Sequence, residues 1–231
     1  MGLTHNYQIP TTGLKLLIDE TLNPLGTSSG FQGIGYGETP YTGTFSTSPT
    51  NVEWARNITA ITVSVVVYKY AASADYATHP INMWGSGGNG LDSAGLVLYN
   101  FGNYQGNGAD GSIAFYMGDY NGSAGGWRGH GVAGGATSIQ VGEYYHVVFQ
   151  LGGGIGWTWR NGQKAEQQSY PRPIANSNVA GYGQQNFNIY GPYQQSYGVI
   201  KSGLFYNRTC SDEEILTQYN YFKRRYPLST R

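Results

Sequence analysis

The 231-residue chain carries little charge of either sign. Thirteen basic and thirteen acidic residues cancel, and only 11% of all residues are charged. Proteins that bind nucleic acids need a basic surface, which this composition does not provide. Disordered chains usually combine strong net charge with few aromatic residues, whereas 15% of this chain is aromatic. We therefore expect a folded protein that has no nucleic-acid partner.

Cysteine and long apolar segments are also scarce. Cys210 is the only cysteine, so no internal disulfide can form. This fits either synthesis in a reducing cytoplasm or a fold large enough to need no disulfide. No apolar run approaches the roughly 20 residues of a membrane-spanning helix. Residues 1–6 lack the basic and apolar parts of a signal peptide, so we expect a protein made in the cytoplasm, with no membrane segment.

Glycine and tyrosine take the place of charge. The 36 glycines suit tight turns, and the 21 tyrosines suit strands with one half-solvated face. The length favours one β-rich domain, residues 13–231, preceded by an extended arm, residues 1–12. The arm contacts either its own domain or a neighbouring protein. Residues 23–51 favour short edge strands and turns, because a flexible linker would not carry so many aromatic residues.

Apolar patterns predict the main strands. Residues 58–70 are apolar on both faces, so we expect this strand near the centre of a sheet. Asn161-Gly162 is the dipeptide that best fits a type I′ hairpin turn. The other predicted strands are residues 14–19, 81–84, 95–101, 113–117, 144–151 and 199–206.

One helix is predicted close to the end of the chain. Ser211 and Glu214 have the spacing of a capping box, and residues 212–225 follow it. Ile215, Tyr219 and Phe222 recur at helical spacing, so they predict one apolar stripe that faces a core.

This order of elements resembles a known family. Tyr-His-Val-Val at residues 145–148, the Asn-Gly hairpin, Phe-Tyr-Asn-Arg-Thr-Cys-Ser-Asp-Glu-Glu-Ile at residues 205–215 and a terminal helix are similar to laminin-G-like, concanavalin A-like domains. The likeness extends over residues 142–226, and residues 13–19 and 219–226 also resemble versions found in tailed-bacteriophage virion proteins. It implies an all-β, two-sheet antiparallel jelly-roll sandwich with a short C-terminal helix.

Catalytic patterns are weak. A glycosidase needs two carboxyl groups about 5–9 Å apart, and no predicted strand carries acids at positions i and i+2. Cys210 lies next to no histidine in sequence, and a small packed thiol is its expected role. His146 falls within a strand, where a partly buried structural histidine is expected. We therefore predict that the protein is not an enzyme.

Binding residues are better candidates than catalytic ones. Residues 119–138 are predicted to form a long glycine-rich loop that holds Trp127, Arg128 and His130. A second aromatic and amide-rich run extends over residues 182–197. The candidate binding residues are Trp127, Arg128, His130, Tyr182, Tyr190 and Tyr193. Aromatic rings with amides suit glycans, but a protein interface or an ordinary solvated surface is the favoured interpretation.

A metal site is the less favoured alternative. The family that the chain resembles often binds Ca²⁺ at the rim of the sandwich. Asn89, Asp92, Asp110 and Asp119 have suitable oxygen ligands, but their spacing fits no compact calcium loop. We therefore predict no cofactor, and Ca²⁺ stays an open alternative.

The resemblance favours a structural function. It implies a non-enzymatic virion protein, a decoration protein on the capsid or a component of the tail, which contacts other virion proteins such as the major capsid protein. We expect a homo-oligomer located on the virion. The alternative is a lectin-like module that attaches to host or surface polysaccharide.

Overall fold

The structure, a computed structural model, describes residues 9–19, 32–35, 44–46, 59–69, 78–83, 96–100, 113–119, 126–131, 139–169, 187–190 and 198–230. Within these ranges the chain forms thirteen β-strands and one α-helix. None of the helical residues described forms a segment long and apolar enough to cross a membrane.

The first sheet has seven strands in the order β11-β10-β9-β4-β13-β1-β2. Adjacent strands in this sheet are antiparallel, except that β2 runs parallel to β1. The strands are β1 (Leu14–Asp19), β2 (Gln32–Gly35), β4 (Ala60–Lys69), β9 (Tyr144–Gly152), β10 (Ile155–Arg160), β11 (Gln163–Ser169) and β13 (Gly198–Tyr206).

The second sheet has six antiparallel strands in the order β3-β12-β5-β6-β7-β8. Strand β13 of the first sheet contacts β5 of the second. The predicted β-sandwich with a C-terminal helix is confirmed. The strands are β3 (Thr44–Ser46), β5 (Thr78–Met83), β6 (Leu96–Asn100), β7 (Ile113–Asp119), β8 (Gly126–Gly131) and β12 (Phe187–Tyr190).

Strand β4 is the centre of the first sheet, as its two apolar faces predict. It lies between β9 and β13, and all residues from Ile61 to Val67 are buried. Alternate residues of a strand point to opposite faces, so one face carries Val63 and Val65 while the other carries Ser64 and Val66. Both faces of this sheet must therefore pack against other elements.

Helix α1 (Asp212–Lys223) covers one of these faces. Ser211 caps it, and the predicted capping box with Glu214 is present. The helix and the residues after it form one apolar cluster with the sheet. The buried residues of this cluster are Leu14, Leu17, Val66, Val148, Trp159, Leu204, Tyr206, Cys210, Ile215, Phe222, Tyr226 and Leu228.

Arg208 joins the start of the helix to the start of the domain. Its guanidinium makes two bonds to the Glu214 carboxylate, of 2.7 and 2.6 Å, and its Nε donates to the Thr12 carbonyl at 2.7 Å. Tyr206 Oη donates to the Pro10 carbonyl at 3.0 Å. Residues 9–12 of the predicted arm thus contact their own domain, while residues 1–8 lie outside the described residues.

The Asn161-Gly162 turn joins β10 to β11, as predicted. Both residues have positive φ angles, 50° and 77°, which a type I′ turn requires. The Asn161 side chain adds two long-range contacts that the dipeptide alone does not reveal. Its Oδ1 accepts from the His146 backbone N–H at 3.0 Å, and its Nδ2 donates to the Ser229 carbonyl at 2.8 Å.

The predicted loop at residues 119–138 is wrong in part. Asp119 is the last residue of β7, and residues 126–131 form β8, which pairs with β7. Glycines at positions 126, 129 and 131 remove the alternating apolar pattern that marks a strand. An edge strand needs only one hydrogen-bonded neighbour, and β7 supplies it.

Candidate functional site

Three of the predicted binding residues lie together on β8, at one edge of the second sheet. Arg128 stands opposite Met117 of β7, and His130 stands opposite Phe115. Trp127 stands opposite Gly118. The three residues therefore belong to an edge strand, where a paired backbone fixes their spacing.

The predicted tyrosines do not join them. Tyr190 ends β12, opposite Thr44 of β3. Strands β5, β6 and β7 separate β12 from β8, and four strand spacings amount to roughly 19 Å. A single sugar ring cannot contact both strands. Tyr182 and Tyr193 lie outside the described residues.

The calcium alternative falls mostly outside the described part of the chain. Asn89, Asp92 and Asp110 are not described, and the backbone of Asp119 closes β7. Among the residues that the structure describes, no group of three or more His, Cys, Asp or Glu side chains is placed to hold a metal ion.

A different set of side chains meets on the hairpin of β10 and β11. Trp157 is half-buried and packs against the apolar cluster under the helix. Its indole Nε1–H donates to Oε1 of the exposed Gln167 at 3.1 Å. In register, Trp157 lies between Gln150 of β9 and Gln167 of β11. The indole is therefore fixed at its inner side and at its N–H edge.

Lys164 completes this surface. Its Nζ lies 5.5 Å from the ring centroid of Trp157 and 5.1 Å from that of Trp159. The same ammonium is 3.7 Å from a carboxylate oxygen of Asp212, the first residue of α1, and the two side chains are 42% and 68% exposed. We call Trp157, Lys164 and Gln167 the Trp157 patch. It offers an aromatic surface, an oriented amide and a cation close together.

The sequence pattern places Trp157 in a strand but does not mark it as a binding residue. The spacing Trp-x-Trp before Asn-Gly places both indoles on one face of a hairpin, which is a usable indication of an aromatic surface. The partner of Trp157 is harder to predict. A regular two-residue hairpin pairs Trp157 with Glu166, but a bulge between Thr158 and Trp159 brings Gln167 opposite the indole instead.

Ser64 and His146 form a hydrogen-bonded pair that is buried. Ser64 Oγ and His146 Nε2 are 2.8 Å apart, and neither residue has any exposed surface. The His146 ring lies 6.0 Å from Tyr219 and 5.3 Å from Phe222 between ring centroids. Burial lowers the pKa of His146 to about 3. His146 is thus a structural histidine, as expected, but it is fully rather than partly buried.

Cys210 is a packed thiol, as predicted. The residue is buried, and its Sγ accepts from Gln218 Nε2 at 3.6 Å. Burial raises the pKa of this thiol, which lowers its nucleophilicity at neutral pH.

Two of the described carboxylates have structural partners. Glu143 accepts from the hydroxyls of Tyr145 and Ser229, at 2.5 and 2.6 Å. Glu214 binds Arg208, and this contact holds the pKa of Glu214 below its usual range. Both carboxylates therefore fix the backbone near the chain ends.

No known protein family and no curated protein matches this sequence. Solved structures do share its fold. The binding domain of Paraclostridial mosquitocidal protein 1 is similar over 71% of this chain and 37% of its own, with a TM-score of 0.51 and 13% identity. A Trypanosoma rangeli sialidase with 2,3-difluorosialic acid bound as a covalent intermediate is similar over 91% of this chain and 33% of its own, with a TM-score of 0.53 and 15% identity.

A carbohydrate-binding domain matches over nearly its whole length. The CBM40 of the Ruminococcus gnavus IT-sialidase, bound to α2,3-sialyllactose, is similar over 78% of this chain and 95% of its own, with a TM-score of 0.51 and 11% identity. By contrast, this chain spans only about a third of the mosquitocidal protein domain and of the trypanosomal sialidase. At these identities the likeness establishes the fold alone, a β-sandwich.

Proposed function

We propose that the protein is a non-catalytic glycan-binding module. The observation that carries this proposal is the Trp157 patch, in which an indole, an amide and an ammonium group meet on one exposed hairpin. Protein sites for small polar ligands combine an apolar surface with a few placed polar groups, and this patch has both. The alternative function suggested by the sequence, a lectin-like module, therefore becomes the main one.

The patch suits a sugar for specific physical reasons. The C–H groups of a pyranose ring pack against an aromatic ring, while its hydroxyls need hydrogen-bond partners. The indole N–H orients the Gln167 amide by donating to Oε1, and the amide Nε2 keeps its N–H donors for a ligand. Trp157 is held against the apolar cluster, so little side-chain freedom is lost when a ligand binds.

The solved structures support the same ligand class. The Ruminococcus gnavus CBM40 carries α2,3-sialyllactose, and the trypanosomal sialidase carries a sialic acid derivative. Their likeness to this chain concerns the fold. It makes glycans the first class of ligand to test.

A glycan array with matched variants tests the proposal. We expect the wild-type protein to bind a subset of glycans and Trp157→Ala to lose at least about tenfold in affinity, since aromatic anchors dominate small-ligand sites. Leu216→Ala is the control, because Leu216 is 48% exposed on the helix and lies outside the patch. If Trp127→Ala removes binding while Trp157→Ala leaves it intact, the site lies on β8 instead.

The absence of catalysis is part of the proposal. Ser64 and His146 are sealed from solvent, and Glu143 and Glu214 hold structural contacts. We expect no release of reducing sugar from any glycan that the array identifies. Release that exceeds a no-protein control would contradict this part of the proposal.

A virion structural protein is the second candidate. Its specific support is the phage-like sequence at residues 13–19 and 219–226, and the structures named above do not add to it. In this case the partners are other virion proteins, such as the major capsid protein. Stoichiometric binding to particles that lack the protein, unaffected by Trp157→Ala, would favour the second candidate.

A further inference from the structure

We propose that the Trp157 patch takes an acidic glycan, whose carboxylate binds Lys164 while a neighbouring sugar ring packs on Trp157. This inference rests on the proposed function and specifies its ligand class. Three observations carry it: the polar groups of the patch donate hydrogen bonds, a carboxylate already lies beside Lys164, and that carboxylate is held weakly.

The polar groups of the patch are donors. Lys164 carries three N–H donors and no acceptor, and the Trp157 indole already takes one of the two lone pairs of the Gln167 carbonyl oxygen, so donors outnumber free acceptors. A neutral sugar offers hydroxyls that donate as well as accept. A carboxylate offers acceptors only, so it matches a surface of donors better.

Asp212 shows where a carboxylate sits against Lys164. Its Oδ1 is 3.7 Å from Nζ, beyond the usual length of a direct hydrogen bond. Exposed pairs of this kind contribute little to stability, so a ligand carboxylate can replace Asp212 at small cost. The other acids of this turn have partners of their own: Glu214 binds Arg208, and Glu213 is hydrogen-bonded with Ser211. Asp212 is the acid beside Lys164, and it is the one that competes with a ligand.

This competition gives the inference a directional test. Lys164→Met keeps an apolar side chain over the indoles and removes the charge. Asp212→Asn keeps the size of the competing residue and removes its charge. We expect the two substitutions to change the affinity for acidic ligands in opposite directions. The affinity for neutral ligands should change little.

The experiment is isothermal titration calorimetry with α2,3-sialyllactose and trigalacturonic acid, each compared with its methyl ester. We expect at least one free acid to bind more tightly than its ester. For that acid, Lys164→Met should lower affinity by about fivefold and Asp212→Asn should raise it by about two- to fivefold, which corresponds to an exposed ion pair. Both variants should change ester binding by less than about twofold. Lys223→Met is the matched control, since Lys223 lies 5.5 Å from the Tyr219 ring.

The outcomes separate this inference from the proposed function. Equal binding of acid and ester, equal loss of both in Lys164→Met, or no binding of any of the four probes overturns the acidic-ligand inference. In each case, glycan binding on the array that is lost in Trp157→Ala leaves the proposed function standing. Loss of the acid preference in Lys164→Met, with gain in Asp212→Asn, supports the inference.

Discussion

At the scale of single residues, burial strongly perturbs the chemistry of His146. It is enclosed by Ser64, Tyr219 and Phe222, and its Nδ1 has no partner among the described residues. Burial removes water from the imidazole and so penalises its charged form, and the neutral form is strongly favoured.

This environment predicts acid sensitivity with a defined sign. The pKa of His146 is about 3 in the folded protein and near 6.5 in an unfolded chain, so the unfolded state binds more protons between these values. Its contribution to stability is therefore complete above pH 6.5 and falls by roughly 1.4 kcal/mol per pH unit towards pH 3. Urea unfolding at pH 7 and pH 5 should differ by about 2 kcal/mol from this residue.

His146→Gln provides the control. The variant should lack this part of the pH dependence, although it is less stable at pH 7. The lowered pKa of Glu214 acts in a more acidic window, below pH 4.5, so it does not disturb the comparison. An unchanged slope between pH 7 and pH 5 in His146→Gln would contradict the account of His146.

Gln218 shows what residue patterns cannot predict. The apolar stripe at Ile215, Tyr219 and Phe222 predicts the buried side of α1, yet Gln218 is fully buried and Tyr219 only partly. The amide of Gln218 donates to Cys210 Sγ, and this contact offsets part of the cost of burying a polar group. That partner lies outside the helix, so helical spacing alone does not reveal it.

At the scale of elements, helix α1 was the easiest to predict. Its capping box and charged ends are local features, and the structure confirms its start at Asp212. The hairpin turn at Asn161-Gly162 is also local. By contrast, the bulge that moves Gln167 opposite Trp157 and the pairing that makes β8 a strand depend on neighbouring strands. Local residue patterns therefore do not predict the Trp157 patch.

The packing of α1 gives a second stability prediction. Phe222 is fully buried and contacts His146, Tyr221 and Tyr226. Phe222→Ala should lower the free energy of unfolding by about 3–5 kcal/mol, as other large-to-small core changes do. Leu216→Ala, on the exposed side of the same helix, should change it by less than about 0.5 kcal/mol. A loss below 1 kcal/mol for Phe222→Ala in chemical denaturation would mean that the helix is not anchored.

At the scale of the whole molecule, the sequence predicts the β-sandwich fold more directly than it predicts the function of the protein. The central strand β4, the hairpin and the terminal helix each carry a strong local pattern, and together they limit the fold to a sandwich. The phage-like resemblance lies at residues 13–19 and 219–226, and the wider family resemblance includes residues 205–215, which contain Arg208, Cys210 and Glu214. In the structure these residues fix the helix and the chain start, so they report on the fold and carry little information about partners.

The central claim is that a glycan binds at Trp157, and NMR spectroscopy tests it most directly. The chain has five tryptophans, so five indole N–H resonances are expected, and Trp157→Phe identifies one of them by its loss. Titration with the tightest glycan from the array should shift the Trp157 resonance first and most, because its N–H edge lies within the site. A shift confined to the resonance that disappears in Trp127→Phe, with the Trp157 resonance unmoved, would contradict the account.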